Sequence, residues 1–245
     1  MAHFYLNEAL AAAVVGATVE LTGAEAKHAV TVSRMRIGEQ LSIGNGSGLV
    51  VSGAITEADA ARLSLRVDSV TEVAPPTPRL LLAQALAKGD RDELAVQAAT
   101  ELGIDAVLPW AAQRSISRWE GQKVAKGRER WASIVREATK QSIRPWLPGV
   151  TELHSTKQLS ARSERLIVLD PTGEVALTEL FRDGTAPDAR DLLLVVGPEG
   201  GIAPAELDLL RASGASIVRL GEHVLRTSTA GPAAVAVLNA LLGRW

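Results

Sequence analysis

The sequence predicts a mixed α/β protein, in which a small β-rich module precedes a larger domain built on a mostly parallel sheet. Residues 41–72 alternate between apolar and polar side chains and are interrupted by a glycine turn, which indicates short β-strands. The segment 73–79 contains three prolines and therefore favours an extended connector over a helix. After it, apolar runs alternate with helical segments, and this alternation is typical of a parallel sheet covered by helices.

The module at residues 1–72 is predicted to contain one helix and three strands. The helix begins at Thr22 or Glu25 and ends at Ser33. A turn at 45–48, composed of Asn, Gly and Ser, separates the first two strands. The strands are predicted at 40–43, 49–55 and 61–70.

The domain at residues 80–245 alternates strands and helices. Pro204 stands early in one helix and Gly214 just after its end, an asymmetry that marks helix boundaries. The strands are predicted at 80–86, 106–109, 165–170, 191–197 and 216–220. The helices are predicted at 91–102, 124–141, 204–212 and 229–242. In open sheets of this kind, ligands bind outside the carboxyl ends of the strands.

The composition excludes several kinds of site. The 245 residues include no cysteine, which rules out disulfides, thiol nucleophiles and cysteine-ligated zinc. The four histidines are scattered without an H-x-x-x-H spacing, so no metal site is expected. The N-terminus shows no signal peptide, and the longest apolar run, 233–242, is too short for a membrane span. We therefore expect a cytoplasmic protein with no membrane association.

The cationic residues are concentrated in one segment. The whole chain has a formal charge of −2, but residues 114–144 carry nine Lys and Arg against three Glu. Four of the five tryptophans lie in or beside this segment, namely Trp110, Trp119, Trp131 and Trp146. Basic residues interleaved with aromatic ones suit RNA, whose phosphates attract cations and whose unstacked bases stack on indoles. The pattern also fits a solvated amphipathic helix whose tryptophans are core residues, and the segment alone does not decide between the two.

A glycine-rich turn follows the predicted strand at 191–197. Gly197, Gly200 and Gly201 allow the backbone to approach a ligand closely, and the next helix offers free N–H groups at its start. The pattern is neither G-x-G-x-x-G nor a phosphate-binding loop with a lysine, so it gives little support to a dinucleotide or a nucleoside triphosphate. A structural turn without a ligand is the alternative interpretation.

A second polar loop precedes the last helix. Arg226 lies immediately before this apolar, alanine-rich segment. An arginine is costly to bury unpaired, so its position predicts either an anionic ligand or an ion pair with Glu199 or Glu222. The helix is apolar nearly all round, which predicts a place in a core or in a subunit interface.

Together these segments carry a resemblance. The pair G-P-E-G-G at 197–201 and L-G-E-H-V-L-R-T-S-T-A at 220–230 resembles the SPOUT methyltransferase superfamily, and more closely the RsmE family of small-subunit ribosomal RNA uracil-N3 methyltransferases. Three further segments are similar to that family: H-A-V-T-V-S-R at 28–34, Q-A-L-A-K at 84–88, and E-A-T-K-Q-S-I-R at 137–144. The resemblance spans both predicted domains.

The resemblance implies the fold, the reaction and the partners. It implies a PUA-like β-barrel at residues 1–72, a proline-rich linker at 73–79, and a SPOUT domain with a deep trefoil knot at 80–245. It further implies S-adenosylmethionine as cofactor, a homodimer, and methylation of N3 of a uridine in 16S ribosomal RNA, free or in the assembled small subunit. The alternative from another class is a non-catalytic RNA-binding or ribosome-assembly protein. A Rossmann-type nucleotide enzyme is less favoured, because no glycine fingerprint follows the first strand of the domain.

With the family resemblance, the strand ends predict which residues form the site. Arg226 and Glu199 are the candidate catalytic residues, the arginine to stabilise a uracil anion and the glutamate to orient it or to receive the proton. The candidate cofactor-binding residues are Leu169, Gly197, Glu199, Gly200, Gly201, Leu220, Gly221, Leu225 and Thr229. The candidate RNA-binding residues are Arg34, Arg36, Arg114, Arg118, Lys140 and Arg144.

Overall fold

A computed structural model describes residues 3–181 and 190–245 of the chain. The chain divides into two compact units. The first comprises Met1–Pro75 together with Thr139–Leu147, and the second comprises Pro76–Ala138 and Pro148–Trp245. The first unit thus draws on two separate stretches of the sequence, and the domain boundaries given by sequence analysis stay a prediction.

The first unit is a five-stranded sheet. Its strands are β1 (Phe4–Leu6), β2 (Thr18–Thr22), β3 (Gln40–Gly44), β4 (Leu49–Ala58) and β5 (Arg62–Glu72). They follow the order β1-β3-β4-β5-β2, in which β1 pairs parallel with β3 and the other pairs are antiparallel. A short helix, α1 (Gly23–Lys27), continues into a π-helical turn at His28–Val32. The predicted helix and three strands are present, whereas β1 and β2 were not predicted.

Alternation of apolar side chains gives this sheet one covered face. In β2, for example, Val19 and Leu21 are buried while the residues between and beside them are exposed. Ile43 of β3 and Leu63 and Leu65 of β5 belong to the same buried cluster. Because the side chains of a strand alternate between its faces, this pattern fixes the register of the strands around a single core.

The second unit is built on a seven-stranded sheet in which every pair of strands is parallel. The strand order is β10-β12-β9-β11-β6-β7-β8. The strands are β6 (Leu80–Ala85), β7 (Ala106–Trp110), β8 (Gly149–Val150), β9 (Arg165–Leu169), β10 (Val175–Ala176), β11 (Leu192–Val196) and β12 (Ser216–Arg219). The central strand β11 is buried at every residue, as expected of a parallel sheet covered on both faces. The predicted mixed α/β class with a parallel sheet is confirmed.

Within residues 76–181 and 190–245, five α-helices accompany this sheet. They are α2 (Arg91–Glu101), α3 (Gln122–Gln141), α4 (Thr156–Ser160), α5 (Pro204–Ala212) and α6 (Thr227–Leu241). The bounds of α5 agree with the prediction, because Pro204 is accepted at the first helical position. Helix α6 begins two residues earlier than predicted, since the last extended residue is Arg226 and not a residue of the serine-threonine cluster after it.

The apolar character of α6 is largely satisfied inside the unit. The helix packs against α2 and against strands β6 and β11. Ala234, Val235 and Leu238 are fully buried. The nearly buried Asn239 donates a 2.6 Å hydrogen bond to the Leu102 carbonyl beyond the end of α2. Of the two places that the sequence allowed for this helix, the structure therefore supports the core, and the apolarity of α6 alone no longer argues for a subunit interface.

The tryptophans of the basic segment have structural roles. Trp110 and Trp131 are almost completely buried, and the Trp110 indole N–H donates to the Thr156 hydroxyl. The Trp146 indole N–H donates to the Val73 carbonyl within the first unit. Trp110 and Trp131 are therefore core residues and are not available to stack on bases, whereas Trp119 is only half-buried.

No helix within residues 3–181 and 190–245 is long and apolar enough to cross a membrane. The same residues contain no cluster of three His, Asp or Glu side chains arranged to hold a metal ion.

Candidate functional site

A cavity of the second unit lies where three neighbouring strands end. Strands β9, β11 and β12 are adjacent and parallel, so the loops that follow them meet at one edge of the sheet. Residues 169–171, 196–199 and 219–227 of these loops line a cavity of about 720 Å³. This volume is within the range of small-molecule and cofactor sites. The carboxyl ends of parallel strands are also where such folds bind ligands.

Most of the predicted cofactor residues line this cavity. They are Leu169, Gly197, Glu199, Gly201, Leu220, Gly221 and Leu225. Gly200 and Thr229 are not among the lining residues. The Gly200 carbonyl accepts a 3.2 Å hydrogen bond from the Arg114 guanidinium, and Thr229 lies in the first turn of α6, where its N–H bonds to the Arg226 carbonyl.

The cavity also has walls that sequence analysis did not identify. Asp170 and Arg219 stand at the ends of β9 and β12, and Arg91 comes from the start of α2. Asp170 is nearly buried, and its carboxylate accepts hydrogen bonds from the backbone N–H and hydroxyl of Thr172. The position of Asp170 at the carboxyl end of a predicted strand could have indicated it, whereas the approach of Arg91 is a tertiary contact without a local signal.

Two glycines of the turn after β11 are required for different reasons. A Cβ atom on Gly197 would lie 2.7 Å from Ile202 Cγ1, so no larger residue fits without moving that side chain. Gly201 has a φ of +70°, which other residues rarely adopt, and a Cβ atom there would meet no other atom within 4 Å. The turn therefore packs tightly against Ile202 at Gly197, whereas at Gly201 its backbone is partly exposed.

The Thr227 hydroxyl connects the strand ends to helix α6. It accepts a 2.9 Å hydrogen bond from the Gln84 amide on β6 and donates a 2.8 Å bond to the Gly197 carbonyl after β11. Gln84 and Thr227 are both buried. Because the hydroxyl donates to one strand end and accepts from the other, the relay fixes the start of α6 against the glycine turn.

Glu199 is held by residues of the β6–α2 connection. Its Oε1 atom accepts a 2.9 Å bond from the Arg91 guanidinium and a 3.0 Å bond from the Lys88 backbone N–H. Partial burial raises the pKa of Glu199, but hydrogen bonds from its own backbone N–H, from Lys88 and from Arg91 outweigh it and lower the pKa below the usual value. The carboxylate is therefore ionised and a weak base.

Arg226 is an exposed residue of the cavity wall. It is the last extended residue before α6, with φ −65° and ψ 151°. Within the described residues its side chain makes neither a hydrogen bond nor an ion pair, so neither Glu199 nor Glu222 neutralises it. The guanidinium is thus free to meet an anion, as the sequence allowed, and Glu199 does not orient it.

The predicted RNA-binding residues belong to both units. In the first unit, Arg34 and Arg36 are exposed and Arg144 is half-buried. In the second unit, Arg114 and Arg118 are exposed.

Lys140 differs from the others. It is buried, with 9% of its surface exposed, and its ammonium lies 3.3 Å from a carboxylate oxygen of Glu25. The expectation that Lys140 contacts phosphates is therefore at odds with the structure, in which the residue forms a buried ion pair instead. Removing a charge from such a pair is costly. No local pattern indicates that two residues so far apart in the chain meet.

Two family models match the chain. The model of an RNA methyltransferase domain covers residues 75–239, and that of an RNA methyltransferase PUA domain covers residues 21–68. The protein from Mycobacterium tuberculosis named ribosomal RNA small subunit methyltransferase E is 42% identical over 233 residues, 94% of this chain and 89% of the relative. This chain belongs to the ribosomal RNA small subunit methyltransferase E family.

Further relatives of the same name support this assignment. The Bacillus subtilis protein of the same name is 33% identical and aligns over 87% of this chain and 86% of its own length. A Neisseria gonorrhoeae ribosomal RNA small subunit methyltransferase E, solved with bound S-adenosylmethionine, has a TM-score of 0.86 and 25% identity, covering 98% of both chains. The resemblance stated from the sequence motifs and the PUA-like character of the N-terminal part are confirmed.

The hydroxyl relay gives a testable expectation for the stability of the site. Thr227→Val keeps the shape of the side chain but leaves the Gln84 amide and the Gly197 carbonyl without their shared partner. Leaving buried polar groups unpaired costs about 1–3 kcal/mol, and we expect a loss of that size in urea unfolding. Thr227→Ser retains the hydroxyl and should lose much less. Equal unfolding midpoints for Thr227→Val and the unchanged protein would show that the relay does not stabilise the fold.

Proposed function

We propose that this protein transfers the methyl group of S-adenosylmethionine to N3 of a uridine in 16S ribosomal RNA. The observation that carries the proposal is the cavity at the ends of β9, β11 and β12, because it is lined by both segments that resemble the family motifs. The names of the relatives supply the small-subunit RNA as substrate, and the solved relative from Neisseria gonorrhoeae supplies the cofactor. A ribosomal substrate is also consistent with the cytoplasmic location expected from the sequence.

The residues of the cavity fit S-adenosylmethionine. Leu169, Val196, Leu220 and Leu225 provide apolar surface for a purine ring, and the exposed backbone at Gly201 allows a ligand to approach closely. The ionised carboxylate of Glu199 favours the positive charges of the ligand. When bound, S-adenosylmethionine supplies an electrophilic methyl group on its sulfonium.

Arg226 is the proposed catalytic residue. N3 of uracil must lose its proton to become nucleophilic, and the negative charge then spreads onto the ring oxygens. The Arg226 guanidinium has only hydrogen-bond donors and no acceptor atom, so it cannot take that proton, but it can hold an oxygen and stabilise the anion. Glu199 is ionised and already bonded to Arg91 and Lys88, and we therefore assign it an electrostatic and positioning role rather than proton acceptance. The N3 proton passes to solvent water, since the cavity wall at Arg226 is exposed.

The RNA contacts are proposed for the arginines that are accessible. Arg34, Arg36, Arg114 and Arg118 are exposed, and phosphates are recognised chiefly by such side chains. Arg144 is a further candidate. We do not include Lys140, because its ammonium already pairs with Glu25.

The deep trefoil knot of the family resemblance is proposed for the loops of the cavity. The strand order supports it. From β9 the chain runs to the edge strand β10, returns to β11 on the other side of β9, and then comes back to form β12 between β9 and β10. A strand inserted between two strands that the chain has already connected is an arrangement compatible with threading through their loop.

The reaction itself can be tested on RNA from a strain that lacks the family enzyme. Purified protein, S-adenosylmethionine and either free 16S ribosomal RNA or small subunits are incubated, and nucleosides are identified by mass spectrometry. We expect one new N3-methyluridine that maps to a single position. Absence of this nucleoside from both substrates, under conditions in which the protein binds S-adenosylmethionine, would refute the proposed reaction and favour a non-catalytic RNA-binding protein.

Cofactor binding is tested by a pair of glycine variants. Gly201 and Gly214 both have a positive φ and open space around Cα, but only Gly201 lines the cavity. Gly201→Val and Gly214→Val therefore carry a similar backbone strain, of about 1–3 kcal/mol. Calorimetry should show a loss of S-adenosylmethionine affinity of at least tenfold in Gly201→Val alone, as a rough expectation for a blocked contact. Unchanged affinity in a folded Gly201→Val variant would place the cofactor elsewhere.

The role of Arg226 is tested by Arg226→Ala. Loss of a preorganised electrostatic group typically reduces the rate about 100- to 1,000-fold, and we expect this effect on methylation with S-adenosylmethionine binding retained. Arg211→Ala removes an exposed arginine that pairs with Asp208 away from the cavity and is the matched control. Near-normal turnover by Arg226→Ala would assign this residue to the architecture of the loop.

We also propose the homodimer that the family resemblance implies. Support comes from Val224, which is 78% exposed on the loop before α6, where it stands beside the partly exposed Leu225. Sedimentation should therefore show a mass of two chains at micromolar concentration, and Val224→Asp should shift the population toward monomers. A stable monomer of the unchanged protein would contradict this proposal.

A further inference from the structure

A second cavity of about 360 Å³ lies in the same unit as the first. One wall is the loop that leaves β6, including Lys88, Gly89 and Asp90, and continues to Asp92 in the first turn of α2. The opposite wall contains Trp119 and Ser117. The two cavities share the β6–α2 connection, because Arg91 lines the first cavity while its neighbours Asp90 and Asp92 line the second.

The connection is held rigidly between the two cavities. The buried Asp92 carboxylate accepts a 3.0 Å hydrogen bond from the Ala87 backbone N–H, and the Lys88 N–H is bonded to Glu199. Gly89 and Asp90 both adopt a left-handed conformation, with φ values of +67° and +58°. The shared wall is therefore a fixed turn whose two sides face different cavities.

Trp119 gives the second cavity an aromatic wall. The indole is half-buried and packs edge-on against Trp131, with ring centroids 5.1 Å apart. Its back is closed by α3, where a Cβ atom on Gly127 would lie only 2.3 Å from the indole. The ring is thus fixed in orientation while part of its surface remains accessible, which are the properties of a platform for base stacking.

The charges around the cavity favour a base over a phosphate as its ligand. Asp90 is exposed, and its carboxylate has no hydrogen-bond partner within the described part of the chain. Arg130 also lines the cavity, where Glu93 pairs with it at 2.8 Å and Asp90 attracts its charge. A carboxylate repels phosphate and accepts hydrogen bonds from the amino groups of bases. Lys88 lines the cavity, and Arg118 lies between the lining residues Ser117 and Trp119. Both cations are exposed and can meet the phosphates that flank the base.

We propose that this second cavity binds an unstacked base of the RNA, next in sequence to the methylated nucleotide. The inference rests on the proposed function, since the first cavity then receives the target uridine and the shared wall brings the neighbouring nucleotide to Trp119. The base stacks on the Trp119 indole and its polar edge faces Asp90. The site selects the substrate by requiring that two adjacent nucleotides leave the stack together.

The test combines a protein variant with a change in the RNA. Trp119→Leu removes the stacking surface but keeps an apolar side chain against Trp131. The RNA partner is 16S ribosomal RNA ligated to carry an abasic nucleotide immediately before or after the methylated uridine. Trp245→Leu alters a tryptophan that is 66% exposed and outside both cavities, and is the control. Retained S-adenosylmethionine binding shows that each variant is folded.

We expect Trp119→Leu to lower kcat/KM about 5- to 100-fold, the range typical of one lost base–aromatic stack. One of the two abasic substitutions should cause a similar loss with the unchanged protein and no further loss with Trp119→Leu, because both changes remove the same contact. Losses that multiply, or a Trp119→Leu activity within twofold of the control, would overturn the proposal.

Two further measurements keep the test decisive. Ser117→Phe fills the cavity from its rim without altering Trp119 and should cause the same loss, so that a folding defect of Trp119→Leu does not decide the outcome. Fluorescence anisotropy of the same RNAs, without S-adenosylmethionine, measures binding alone. If the unchanged protein methylates neither the intact nor the abasic RNA, the proposed function fails, and the subsite is judged by binding alone. Weaker binding of the abasic RNA to the unchanged protein, but not to Trp119→Leu, supports the subsite. Any other binding result refutes it.

Discussion

The hydroxyl of Thr227 is the interaction on which the geometry of the candidate site depends. It joins β6, the turn after β11 and the start of α6 through Gln84 and the Gly197 carbonyl. The loop from β12 to α6 ends at this point, so its last residue, Arg226, is positioned by the same anchor. A small buried hydroxyl can do this because it donates and accepts at once, and because Gln84 lies in β6 and Gly197 directly follows β11.

The charges of the first cavity are arranged so that its cation stays available. Of the two glutamates that the sequence offered as partners of Arg226, Glu199 has its Oε1 atom engaged by Arg91 and by the Lys88 N–H. Arg91 therefore has an indirect effect: by pairing with the glutamate, it leaves the Arg226 guanidinium for a ligand. Leaving Arg226 without a partner costs little free energy because its side chain is exposed to water, whereas a buried arginine without a partner would be strongly destabilising.

Local patterns predicted the elements and the meeting of the strand ends, whereas tertiary contacts decided the roles of individual charges. Pro204 defined the start of α5, and the succession of strands and helices correctly indicated a parallel sheet whose loops line one cavity. Lys140 shows the limit of this reasoning. Its sequence neighbours suggest a cationic surface, but Glu25, distant in the chain, takes its charge into a buried pair. Two-residue strands such as β8 and β10 are too short for any periodic signal.

The basic, tryptophan-rich segment shows why one pattern supported two interpretations. In α3, Trp131, Val135 and Ala138 are buried at the spacing of a helical face, so this part of the pattern is that of an amphipathic helix. Trp119 precedes the helix and keeps part of its ring accessible because Trp131 supports it from the side. The core tryptophan is thus what holds its neighbour in place. The segment therefore contains both a structural and an accessible aromatic residue. The buried Trp131 ring supports the Trp119 ring, and this support lets Trp119 act as a rigid surface.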